Sequence, residues 1–144
     1  MEQKEKQVWQ RVFEQHPEPL NTDIQTLAAE AMEAAGVYRN LARVTTGREK
    51  ELLKVLLEEE QKNLSCLKGL YRMQAGRQLK QHRSPAQPRP EVSTLMKRYH
   101  CARRALTEYT ARSAEPEWGC VYLAMAKRQE QQCDRLTQLL GQMR

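Results

Sequence analysis

Apolar residues recur along this chain at helical intervals, and short polar or Pro-rich stretches cut the pattern into segments. In residues 3–15, Val8, Trp9, Val12 and Phe13 fall on one face and predict a short amphipathic helix. His16-Pro17-Glu18-Pro19 ends it, because a residue before Pro is pushed out of helical geometry. A first long helix is expected from Thr22, where Thr22-x-x-Gln25 has the form of a capping box. Its stripe is Leu27, Ala31, Ala34, Tyr38, Leu41 and Val44. A second starts at Thr46-x-x-Glu49 and carries Leu53, Leu57, Glu60, Leu64, Leu67 and Tyr71 on one face, with Leu56 at the edge. Gly76 is its stop.

Three Pro within Ser84-Pro85-Ala86-Gln87-Pro88-Arg89-Pro90 then exclude a helix and favour an extended path. A third helix is predicted from Ser93 or Thr94 to about Ser113, with Leu95, Ala102, Ala105, Leu106 and Tyr109 inward. Pro116 suits the first turn of a fourth, which continues through Tyr122, Leu123, Ala126, Cys133, Leu136 and Leu140. The predicted organisation is an N-terminal helix and loop (1–20), then one all-α domain (21–144) with an internal linker at 77–92.

Composition agrees with that reading. The chain has 144 residues, the usual size of one domain, with only six Gly and six Pro. Leu, Ala, Gln, Glu, Lys and Arg dominate it, and these favour helix over strand. No run of about 18 apolar residues occurs, so no membrane partner is expected. Met1-Glu2-Gln3-Lys4-Glu5-Lys6 leads into no apolar stretch of the secretory kind, so a cytoplasmic protein is the expectation. The four cysteines, at 66, 101, 120 and 133, lack C-x-x-C spacing and read as small core or near-core residues.

Net charge is +6 and is spread along the chain. The linker stretch of Arg77, Lys80, Arg83 and Arg89 with His82 could attract phosphates, but reads first as a solvated basic connection. Nucleic acid is therefore not the expected partner. His100 is the one helical histidine and is expected to face solvent. No Walker A loop, G-x-S-x-G, H-E-x-x-H or G-x-G-x-x-G is present.

One pattern occurs twice. Ala31-x-x-Ala34-x-x-x-Tyr38 is followed by Glu60-x-x-Asn63, and Ala102-x-x-Ala105-x-x-x-Tyr109 by Glu130-x-x-Cys133. Two helix pairs of this layout, joined by a long Pro-rich connection, resemble the ferritin-like superfamily, and rubrerythrin-type proteins in particular. The resemblance implies a four-helix bundle with its long crossover between helices 2 and 3. It also implies a di-iron or di-manganese site made of a Glu from each first helix and a Glu-x-x-His from each second.

In this chain Asn63 and Cys133 stand where the His would be, and Ala31 and Ala102 where the first-helix Glu would be. A one-residue shift would bring in Glu30 and Cys101; Glu33 and Glu108 are further carboxylates by position. The metal-site candidates are Glu60, Glu130 and Cys133. A carboxylate in an apolar stripe is costly unless paired, metal-bound or protonated, and a thiolate suits a soft metal. The alternative is that these groups hydrogen-bond one another, Tyr38, Tyr109 or water. The resemblance thus implies a relative with a largely lost di-iron site and no cofactor. Such a protein would be a non-catalytic binding or structural module for a protein or small molecule, with a homodimer as its candidate assembly. The competing reading is an iron- or manganese-binding oxidoreductase, scavenging peroxide or oxidising ferrous iron at a rearranged site.

Overall fold

The computed structural model describes residues 23–76 and 92–142, and all the regular structure among them is α-helix: α1 (Ile24–Val44), α2 (Gly47–Ala75), α3 (Val92–Arg112) and α4 (Gly119–Gln142). The all-α expectation is met over these residues. The helix expected at 3–15 and the basic stretch of the linker lie outside the described residues.

Local chemistry sets the helix ends. Asp23, rather than Thr22, caps α1: its carboxylate accepts from Thr26 N at 2.7 Å, which holds its pKa below the ordinary value. A two-residue turn, Thr45–Thr46, separates α1 from α2, and Gly47 relieves it with φ 71°, a left-handed conformation that suits glycine. Gly76 ends α2 as expected, at φ 70° with its N–H on Arg72 O. The fourth helix starts later than predicted, and Pro116 lies in the turn before it. At Gly119 the chain passes so close to the α3 end that a Cβ would sit 2.4 Å from Ser113 O.

α1 packs along α2 and α3 along α4; α2 meets α4, and α1 touches α3 least. Two apolar clusters hold them. One gathers Leu41, Leu53, Leu56, Leu95, Leu136 and Leu139. The other gathers Leu27, Leu67, Leu70, Tyr109, Tyr122 and Met125. The end of α1, the start of α2, the start of α3 and the end of α4 therefore share one end of the molecule. α2 and α3 run in the same direction, each leaving that end.

The predicted stripes need small rotations. On α2 the buried line is Leu53, Leu56, Glu59/Glu60, Asn63, Leu67 and Leu70, while Leu57, Leu64 and Tyr71 are only half-buried. On α4, Met125 and Leu139 are buried and Leu123 is exposed. Val44, placed on the α1 stripe, is exposed at the turn. Of the four free cysteines, Cys133 is buried and Cys66 is half-buried against the second apolar cluster, as the near-core expectation has it; Cys101 is half-buried, and Cys120 faces solvent, against that expectation. His100 is exposed, as expected.

Candidate functional site

Between the two apolar clusters lies a layer of buried polar groups. Glu60 and Asn63 are one turn apart on α2, so both project to the same side; Gln129 and Gln132 repeat the arrangement on α4. Asn63 is fully buried, and its amide is engaged at both ends. Nδ2 donates to Gln129 Oε1 (2.9 Å) and Met125 O (3.3 Å), while Oδ1 accepts from Arg128 Nη1 (3.2 Å). Gln132 Nε2 donates to Gln129 Oε1 (2.9 Å), and Gln132 Oε1 accepts from the Tyr38 hydroxyl (3.4 Å). The amides of Gln132 and Gln129 also hydrogen-bond the Glu60 carboxyl. The network therefore ties α1, α2 and α4 together, with each amide both donating and accepting.

Glu60 is 2 % exposed, and burial pushes its pKa up to about 7. The two glutamine amides and the positive charge of Arg98 oppose that rise without cancelling it, and Glu59 adds to it. Tyr38 and Tyr109 both feel the Glu60 charge. Burial first, and Glu60 second, hold both phenols well above their ordinary value, so they stay protonated.

Charged groups ring this layer. Arg135 pairs with Glu59 on the α2–α4 side, and Arg104 with Glu30 on the α1–α3 side. Arg98, itself only 4 % exposed, lies 3.6 Å from Glu33 and donates to Cys101 Sγ at 3.7 Å. Glu108 is also buried, next to Tyr109 on α3.

Where α1 and α3 face each other, Ala31 and Ala34 oppose Ala102 and Ala105. These short side chains line a partly open pocket bordered by Glu60, Tyr38, Tyr109, Arg98 and the two glutamines.

The candidate metal residues are not brought together. Glu60 is in the polar layer. Glu130 is not on the inward side where the repeat placed it; it is exposed, because the buried positions of α4 are Gln129 and Gln132. Cys133 is buried in the apolar cluster with Leu136, where burial pushes its thiol up and away from the thiolate that binds soft metals. Among the described residues no group of three or more His, Cys, Asp or Glu is placed to hold a metal ion. The donor set around Glu60, one carboxyl and three carboxamides already bonded to one another, does not fit a dinuclear iron or manganese centre.

The residues missed from the sequence are Gln129, Gln132 and Arg98. A signal existed for the glutamines: Met125, Gln129, Gln132 and Leu136 continue a three-and-four spacing through polar residues. Among the described residues, no helix is long and apolar enough to cross a membrane. Compared with protein-family models, with curated proteins and with solved structures, the chain matches none.

Proposed function

We propose that the chain is a ferritin-like four-helix bundle of the rubrerythrin type in which a carboxyl–carboxamide network replaces the dinuclear centre. In this reading it is a cytoplasmic, non-catalytic binding or structural module, and a homodimer is its candidate assembly. The helix directions support the bundle. α2 and α3 are consecutive, run the same way and share no packing among the described residues, as the resemblance implies for helices 2 and 3. The observation that carries the functional reading is the bonding at Glu60 and Asn63. They occupy the i, i+3 positions where that family has Glu-x-x-His, yet amides rather than imidazoles or carboxylates meet them. Gln129 and Gln132 fill the corresponding places on α4. A carboxamide is a neutral, weak ligand for iron or manganese beside an imidazole or a carboxylate, and these amides are already engaged with one another.

The test is metal content per chain, by elemental analysis, on untagged protein incubated anaerobically with ferrous iron and separately with manganous ion. The expected result is less than 0.1 equivalent of either metal, a figure on the order of background for a site without its ligands. Two equivalents of iron, lost in Glu60→Ala, would overturn the reading in favour of the oxidoreductase.

A further inference from the structure

We propose that the bundle opens along its α1–α3 edge, its two helix hairpins turning about the α2–α4 contact, and that this opening is how water reaches the Glu60 carboxyl. The inference does not depend on the ferritin-like reading.

Three observations carry it. The first is that the carboxyl is sealed. Glu60 borders the pocket between α1 and α3, yet its Oε2 is buried and meets no hydrogen-bond partner among the described residues. An ionised carboxylate there has lost its water and is short of a donor, a state the closed fold disfavours.

The second is where the bundle is weakest. The chain forms two hairpins, α1–α2 and α3–α4, which meet along two lines. Along α2–α4 the contact is close: Leu53 and Leu56 share a cluster with Leu136 and Leu139, and Asn63 bonds Gln129. Along α1–α3 it is slight, with four alanines around a pocket already partly open to solvent. Alanine offers little apolar surface to hold two helices together.

The third is what holds that edge shut. Arg104 pairs with Glu30, and Arg98 lies 3.6 Å from Glu33. The Arg104 side chain is 42 % exposed and that of Glu33 45 %, so water screens both pairs and they hold weakly. The Tyr38–Gln132 bond also crosses between the hairpins and is long, at 3.4 Å.

Ionisation of Glu60 drives the opening. The groups around it are Tyr38 and Glu30 from α1, Glu59 from its own helix, and Arg98, Cys101 and Tyr109 from α3. α4 adds Cys133 near Tyr38 and otherwise sets two neutral amides, Gln129 and Gln132, against the carboxyl. Arg98 is the one cation among these groups, and burial outweighs it. The closed form therefore favours the protonated acid and the open form the hydrated anion, so opening grows as pH rises.

The test is pulsed iodoacetamide labelling of the full chain from pH 5.5 to pH 8, read cysteine by cysteine by peptide mass spectrometry. Cys101 lines the edge pocket, and Cys66 lies at the α2–α4 contact. Both are half-buried and each accepts from an arginine, so Cys66 is the internal reference. The expected result in the parent is a Cys101-to-Cys66 labelling ratio that rises about threefold or more with pH. The limit is about tenfold per pH unit for an opening that releases one proton. In folded Glu60→Gln the ratio should stay flat. A flat ratio in the parent, or an equal rise in the folded variant, would overturn the proposal. If the variant does not fold, the carbon-13 shift of the Glu60 carboxyl in the parent decides. The labelling rise should share its midpoint, and a rise centred elsewhere would overturn the proposal.

Discussion

Replacing Glu60 with glutamine should make the protein more stable at alkaline pH and leave it nearly unchanged in acid. The carboxyl titrates near 4.5 when free and at about 7 in the fold, because burial disfavours the anion. Between those values the folded chain binds a proton that the unfolded chain has released, so stability falls as pH rises. The neutral carboxyl's contribution is complete below the unfolded value and is gone once pH has passed the folded one. A shift of that size corresponds to about 3 kcal/mol between pH 4.5 and pH 8.5.

Glutamine is isosteric, keeps an acceptor for the amides of Gln129 and Gln132, and carries no charge at any pH. In Glu60→Gln the pH-dependent loss due to this side chain disappears, while every other titrating group is common to both proteins. Paired urea and thermal unfolding curves at pH 5 and pH 8.5 measure the effect. At pH 5 the two proteins should agree within about 1 kcal/mol. At pH 8.5 the variant should gain on the parent by about 3 kcal/mol, or roughly 10 °C in Tm for a domain of this size. A difference between the two that does not change with pH would refute the placement of Glu60 as a buried, proton-binding carboxyl. So would a parent that gains on the variant as pH rises.

Two further outcomes test the framework around the site. Gly119→Ala drives a Cβ into backbone, 2.4 Å from Ser113 O, and should cost about 1–3 kcal/mol in urea unfolding; a loss under about 0.5 kcal/mol would mean the α3–α4 turn is looser than described. α2, at 29 residues, is about 44 Å long, and residues 77–91 reach at most about 50 Å when extended. Deleting Pro85–Pro90 leaves about 30 Å and should abolish cooperative thermal unfolding followed by circular dichroism, whereas a parent-like melt would contradict parallel α2 and α3.

The helices were legible in the sequence because each long segment repeats its apolar residues at three and four, and Gly76 and the α1–α2 turn stop them where expected. The α1 stripe from Leu27 to Leu41 is buried residue for residue. The interior chemistry was much less legible. Reading α4 for an acidic residue three before Cys133 selected Glu130, although the polar positions in phase with Met125 and Leu136 are Gln129 and Gln132. Glutamine at an inward position looks like surface until its partner is known, and the partners that Gln129 and Gln132 meet on α1 and α2, Tyr38 and Asn63, lie far back in the chain. Arg98 was hidden for the same reason. An arginine between Leu95 and Ala102 reads as solvated, yet carboxylates on other helices let its head group stay inside. Rotation of the α2 stripe toward Leu56 and Asn63 follows from α4, which approaches that side and which periodicity within one helix cannot locate.

The polar layer between two apolar clusters also acts as a vernier on helix register. Apolar surfaces alone tolerate sliding, since leucines spaced by a turn are interchangeable. If α4 advanced one turn along α2, about 5.4 Å, Gln132 would enter the cluster of Leu53 and Leu56 and Asn63 would lose Gln129. Each amide stranded in this way costs about 1–3 kcal/mol. An all-apolar interior would hold the helices together more tightly but specify their alignment less sharply. Glu60, Asn63, Gln129 and Gln132 make one alignment the deep minimum, at the expense of a carboxyl held inside the protein.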